Sequence, residues 1–257
     1  MNIMDIVFPL LTGLLAGGLG ALLGLGGGVV VVPTLEILGS KFMTQPYTLA
    51  QIIAASQVGV LSVAVASSAG YLRQGGFVRL KEAYLFSPYT VLGGIVGSLL
   101  LLTLDAKVTA TIFALLLLYT GFELVRGINR ADLERPSNSK WVKPALGFGG
   151  VMSGLLGIGG GTIQVPVLNL LQGMPFRAAI ATSTFMMGFT AIGNAGIQIA
   201  SGKLEPALAG PVALGILIGA RVMSVIAKRI PVRALKILFA LLVFYSAYDL
   251  LRKYWGL

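Results

Sequence analysis

The segment LLGLGGGVVVVPTL at residues 22–35 returns 133 residues later as LLGIGGGTIQVPVL at 155–168, with nine of the fourteen positions identical. Each copy keeps the order Gly-X-Gly-Gly-Gly, four residues, then Pro, and each lies in otherwise apolar sequence. Three consecutive glycines offer no side chains to pack and lose the most backbone freedom on ordering, so they interrupt a helix. At membrane depth such an interruption is tolerated only where protein or a watery cavity surrounds it. A glycine-broken apolar segment in corresponding positions of two halves points to the substrate site of a secondary transporter.

Composition leaves no room for a soluble domain. Of 257 residues, 56% are hydrophobic and 11% charged, where soluble domains carry roughly 25% charged residues, and the mean hydropathy is +0.90. Several stretches approach the ~20 apolar residues that a helix needs to cross ~30 Å of hydrocarbon. The 19 Lys and Arg against 9 Asp and Glu fall mostly in short connections, where they read as orientation signals and not as a nucleic-acid surface. The absence of Cys and His excludes disulfides, thiol chemistry, the usual zinc sets and imidazole proton relays. No cofactor is expected. The N-terminal MNIMDIVFPLLTGLLAGG has neither a basic n-region nor a small-residue cleavage site, so it reads as part of the first membrane element and not as a leader.

Four apolar elements can be read in each half: 3–38, 48–70, 83–103 and 108–125, then 142–171, 178–200, 207–226 and 234–251. A polar, Pro-ended stretch separates them, giving a first repeat at 1–125, a cytoplasmic linker at 126–143 and a second repeat at 144–257. The duplication persists beyond the opening motif: Phe113-Ala-Leu-Leu matches Phe239-Ala-Leu-Leu, Gly93 and Gly97 match Gly215 and Gly219, and Ala55-Ser56-Gln57 matches Thr182-Ser183-Thr184.

The cations decide the orientation of the copies. If all eight elements cross, 11 of the 19 Lys and Arg fall on one side and 8 on the other. If the first element of each repeat instead turns back at Gly-X-Gly-Gly-Gly, each repeat crosses three times and the second copy is inverted. The distribution then becomes 14 inside and 5 outside, with Lys41, Lys107, Lys203, Arg252 and Lys253 outside, which fits the positive-inside rule. The expected fold is an all-α, polytopic integral membrane protein of two inverted-topology repeats. Each has a glycine-broken re-entrant element plus three transmembrane helices, and both termini lie outside.

The residues after each break would begin short helices whose free N–H groups and positive dipole ends face the break. Such ends attract anions. No Lys or Arg lies centrally within a span, and Arg221, near the end of one, reads as snorkelling to the interface. An anion would therefore be held by the amides of Gly26, Gly27, Gly28, Gly159, Gly160 and Gly161. Neutral donors would come from Ser56, Gln57, Gln164, Ser183, Thr184 and Asn194, with Gln198 one turn beyond Asn194. The alternative use of these polar groups is hydrogen bonding between helices. Likewise, pairs such as Gly13/Gly17 are common close-packing devices. Gln164 is matched by apolar Val31, so the two half-sites differ chemically. Glu36, matched by Asn169, reads as an interfacial carboxylate ahead of a proton-coupling one, and Glu123 and Asp249 read as anchors at span ends.

The doubled motif, together with Ala-Thr-Ser at 181–183 and Gly-Ala-Arg at 219–221, resembles the sulfite exporter TauE/SafE family of membrane anion permeases over nearly the whole chain. The resemblance implies transport of a small sulfur-containing anion such as sulfite, thiosulfate or an organosulfonate across the bacterial cytoplasmic membrane. It also puts both glycine loops and Ser183 at the site. The partners expected are this small anion and membrane lipid, with a homodimer left open and no nucleic acid. An anion channel with the same lining is the alternative. A membrane enzyme is disfavoured, because the spans offer no His, no Cys and no buried carboxylate pair.

Overall fold

The glycine motifs break the first element of each half into two helices. The computed structural model describes residues 2–23, 26–74, 77–125, 139–226 and 232–256. Gly24 and Leu25 of the first motif, and linker residues 126–138, lie outside the described residues. In the first half α1 (Met4–Leu23) is followed by α2 (Gly28–Phe42); in the second, α6 (Val142–Leu156) is followed by α7 (Gly161–Pro166). Between them come α3 (Leu49–Gln74), α4 (Leu80–Thr103) and α5 (Ala106–Val125), and after them α8 (Phe176–Ala200), α9 (Pro206–Ile226) and α10 (Val232–Trp255). No strand occurs among the described residues.

The breaks have a backbone cause. Gly27 and Gly160, the residues capping α2 and α7, have φ of 65° and 76°, a left-handed conformation that costs a residue with a Cβ about 1–2 kcal/mol. Past Pro166, which has no N–H to donate, α7 widens into a π-helical turn at Val167–Leu171. The amide of Gln172 there reaches back five residues to the carbonyl of Val167 at 3.1 Å.

The first broken element is a hairpin. The Asp5 carboxylate, at the start of α1, accepts hydrogen bonds from the Thr44 amide at 2.7 Å and from the Thr44 hydroxyl, just beyond the end of α2. Phe8 stacks on Phe42 at 5.1 Å. The chain thus returns to the level at which it entered. In the second half Val142, at the start of α6, shares a core cluster with Val165, Leu168 and Met174.

Helices of one half pack mainly on helices of the other: α1 on α9, α6 on α4, α3 on α8 and α9, α8 on α4, and α5 on α10. Helix α3 runs antiparallel to α8, and α5 antiparallel to α10. Gln57 meets Asn194 while Ala64 meets Gly188, and Thr111 meets Trp255 while Gly121 meets Phe244. The closest crossings are made by small residues. A Cβ on Gly13 or Gly17 would collide with the carbonyls of Val212 or Ile216, and one on Gly215 or Gly219 with those of Leu10 or Leu14. Gly93 and Gly97 meet α6 in the same way. The packing reading therefore accounts for Gly13/Gly17, as expected where small residues let membrane helices approach.

The distribution of polarity is that of a protein solvated by lipid. Large apolar side chains such as Leu15, Leu92, Leu115, Phe122 and Leu241 face outward, while Ser56, Gln57, Thr90, Ser153, Gln164, Ser183, Thr190, Asn194 and Gln198 are buried. Among the described residues, three helical segments are long and apolar enough to cross a membrane: Leu49–Leu72, Leu80–Thr103 and Ala106–Glu123. Shorter apolar helices accompany them.

Candidate functional site

The two glycine turns touch each other. Gly28 lies so close to the Gly157 carbonyl that a Cβ would overlap it, and a Cβ on Gly26 would sit 2.8 Å from the Ile158 carbonyl. The Met187 thioether closes against both turns, 3.2 Å from a Cβ position on Gly26 and 3.0 Å from one on Gly159. Gly26, Gly27, Gly28, Gly159, Gly160 and Gly161 are all buried. Only residues without side chains allow two backbone turns to approach this closely.

Helix α3 of the first half holds the turn of the second. The Ser56 hydroxyl donates to the Gly157 carbonyl at 2.6 Å, and the Gln57 amide to the Ser153 carbonyl at 2.6 Å. From Gln57 a polar chain continues across the helices. The Asn194 amide lies 3.3 Å from Gln57 Oε1 and, in its other orientation, donates to the Gly94 carbonyl at 3.0 Å. One turn away, the Thr190 hydroxyl donates to that of Thr90 at 2.9 Å. On the far side of the second turn, Ser183 donates to Gln164 Oε1 at 3.1 Å.

Ser56, Gln57, Gln164, Ser183 and Asn194 are therefore brought to the turns or to the polar chain leading from them. Thr184 is not: it is buried, but its hydroxyl bonds to Ile180 of its own helix at 2.8 Å. Two further residues, Ser153 and Thr162, belong to the region. The Ser153 and Thr162 hydroxyls and the Gln164 side-chain N–H₂ are buried without a hydrogen-bond partner, and all three flank the second turn. Unpaired buried polar groups are costly, and these three lie around a single glycine turn. Gln198 is likewise buried with both amide atoms unpaired. Thr162 lies inside the repeated motif and Thr190 one turn before Asn194, so a local pattern in the sequence marks both. Thr90 comes from the other half, and nothing local marks it.

The buried charged residues among those described are Asp5 and Glu36, both acidic and both fastening the first hairpin away from the turns. The turns thus lie in an environment of neutral donors and backbone dipoles, with Arg221 exposed near the end of α9.

Comparison with known proteins agrees with this architecture. The family model described as sulfite exporter TauE/SafE matches residues 9–250. The chain belongs to the TauE/SafE family. A probable membrane transporter protein, YunE, of Bacillus subtilis is 27% identical to this TauE/SafE member over 79% of the chain and 81% of its own length. Probable membrane transporter proteins of Haemophilus influenzae and Xylella fastidiosa are each 29% identical, over 70% and 73% of the chain and 68% and 72% of their own lengths. No solved structure matches with significance. Family and fold together identify a helical membrane transporter.

Proposed function

We propose that this TauE/SafE protein is a secondary transporter that moves a small sulfur-containing anion, such as sulfite, thiosulfate or an organosulfonate, by alternating access around the paired glycine turns. The observation that carries this reading is the direct contact of two helix-start turns from opposite halves, beside unpaired neutral donors on Ser153, Thr162 and Gln164. A dipole end and hydroxyl or amide donors hold an anion without a fixed counter-charge that would retain it. Ser183 and Asn194 extend the lining.

The reading includes two inverted repeats, 1–125 and 144–257, in the cytoplasmic membrane. Support comes from the antiparallel course of α3 against α8 and of α5 against α10. The Asp5 to Thr44 closure agrees with an element that leaves on its side of entry. One half rocking against the other around the turns would expose them alternately to each side.

Uptake of radiolabelled sulfite, thiosulfate and a short-chain sulfonate by proteoliposomes tests this directly. Saturable, counterflow-competent flux of at least one anion is expected. Unsaturable flux with single-channel currents would establish a channel instead, and no flux of any of the three would overturn the substrate class.

A further inference from the structure

Glu36, near the end of its half-helix, is 4% exposed. Its carboxylate accepts from Lys253 Nζ at 2.6 Å and from the Tyr254 hydroxyl at 2.9 Å, and Lys253 also donates to the Glu36 carbonyl at 3.1 Å. Lys253 itself is 46% exposed. A cavity of about 150 Å³ adjoins the pair, lined in part by Glu36, Ser40, Gln45, Tyr47 and Lys253. The bond joins α2, whose first residue Gly28 lies at the glycine turn, to the last helix of the other half. Glu36 is eight residues along α2 from Gly28, about 12 Å at the helical rise of 1.5 Å per residue. The matching position, Asn169, bonds within its own half, to the Met174 carbonyl at 2.8 Å.

A motion of one half against the other must lengthen or break this contact. Drawing Lys253 away would strand an ionised carboxylate in a buried position, which is strongly unfavourable unless the group is neutralised. We infer that Glu36 is a proton-binding site of the transport cycle: it takes a proton from water in the adjoining cavity when Lys253 withdraws, and returns it when the pair re-forms. This rests on the transport reading. The titratable groups facing Glu36 are Lys253 and Tyr254 from α10 and Tyr47 from the α2–α3 connection, while α3 presents apolar Ile52. Lys253 is the cation of the set, so its position decides the charge state that Glu36 tolerates.

Infrared spectroscopy of the purified protein reads Glu36 without any substrate. Lys253→Met is expected to bring up a protonated-carboxyl C=O band at pH 7 that disappears in Lys253→Met/Glu36→Gln. A well-folded Lys253→Met protein without that band overturns the inference. In proteoliposomes, Glu36→Gln is expected to flatten the pH dependence of anion exchange measured with equal pH on both sides. An unaltered pH profile overturns the inference even where anion flux itself is robust. If the wild type moves no anion, the transport reading fails, while the infrared result still decides whether Glu36 binds a proton.

Discussion

Ser56 and Gly157 lie 101 residues apart in the chain, and the hydroxyl of the first donates to the carbonyl of the second at 2.6 Å in the buried centre of the protein. This bond fastens the second glycine turn to a helix of the first half. Replacing Ser56 by Ala leaves the Gly157 carbonyl buried without that donor, at a cost of about 1–3 kcal/mol. A lower thermal midpoint in detergent and a reduced anion flux are expected; an unchanged midpoint would show the bond to be dispensable.

Gly27 and Gly28 should respond differently to alanine. At Gly27 the nearest atom to a new Cβ is 3.3 Å away, so the penalty is chiefly the left-handed backbone at φ 65°, about 1–2 kcal/mol. At Gly28 the Cβ would overlap the Gly157 carbonyl and force the two turns apart. Gly28→Ala should abolish flux while Gly27→Ala retains part of it, with membrane insertion preserved in both. Equal flux in the two variants would contradict the turn-to-turn contact.

Gln164→Glu keeps the side-chain volume but adds a negative charge beside the second turn. If an anion binds there, repulsion raises the KM for anion flux far more than the uncharged Gln164→Leu change does. The concentration dependence of flux in the two variants separates charge from shape. A similar KM in both would place the anion elsewhere.

Leucine at Gly97 or Gly219 tests packing away from the turns. Each side chain would meet a backbone carbonyl, of Val151 or Leu14, and overpacking of this kind typically costs 1–3 kcal/mol or more. The expected result is a lower thermal midpoint and lower yield. Wild-type stability would mean that these helices can separate freely.

The natural lack of cysteine makes orientation simple to read. Lys203→Cys should react with a membrane-impermeant thiol reagent added outside intact cells, and Lys140→Cys only after the membrane is opened. The reverse pattern would invert the proposed topology, and labelling of both from outside would break the inverted-repeat arrangement.

Much was legible in the chain because membrane proteins obey strong local constraints. Apolar runs, the doubled Gly-X-Gly-Gly-Gly and its downstream Pro do not depend on distant partners. They determined an all-helical membrane protein, the location of both helix breaks and the family. The tertiary structure decided what each polar group faces. Gly13 and Gly17 pack against α9, Thr184 bonds within its own helix, and Glu36 is buried against Lys253 of the other half. Thr90 finds Thr190, and Ser56 finds Gly157, across about a hundred residues. A hydroxyl or amide in an apolar run looks the same in sequence whether it pairs with its own helix, with a neighbour or with a ligand. Only the packing of the two halves, allowed by glycines that let backbones touch, distinguishes those fates.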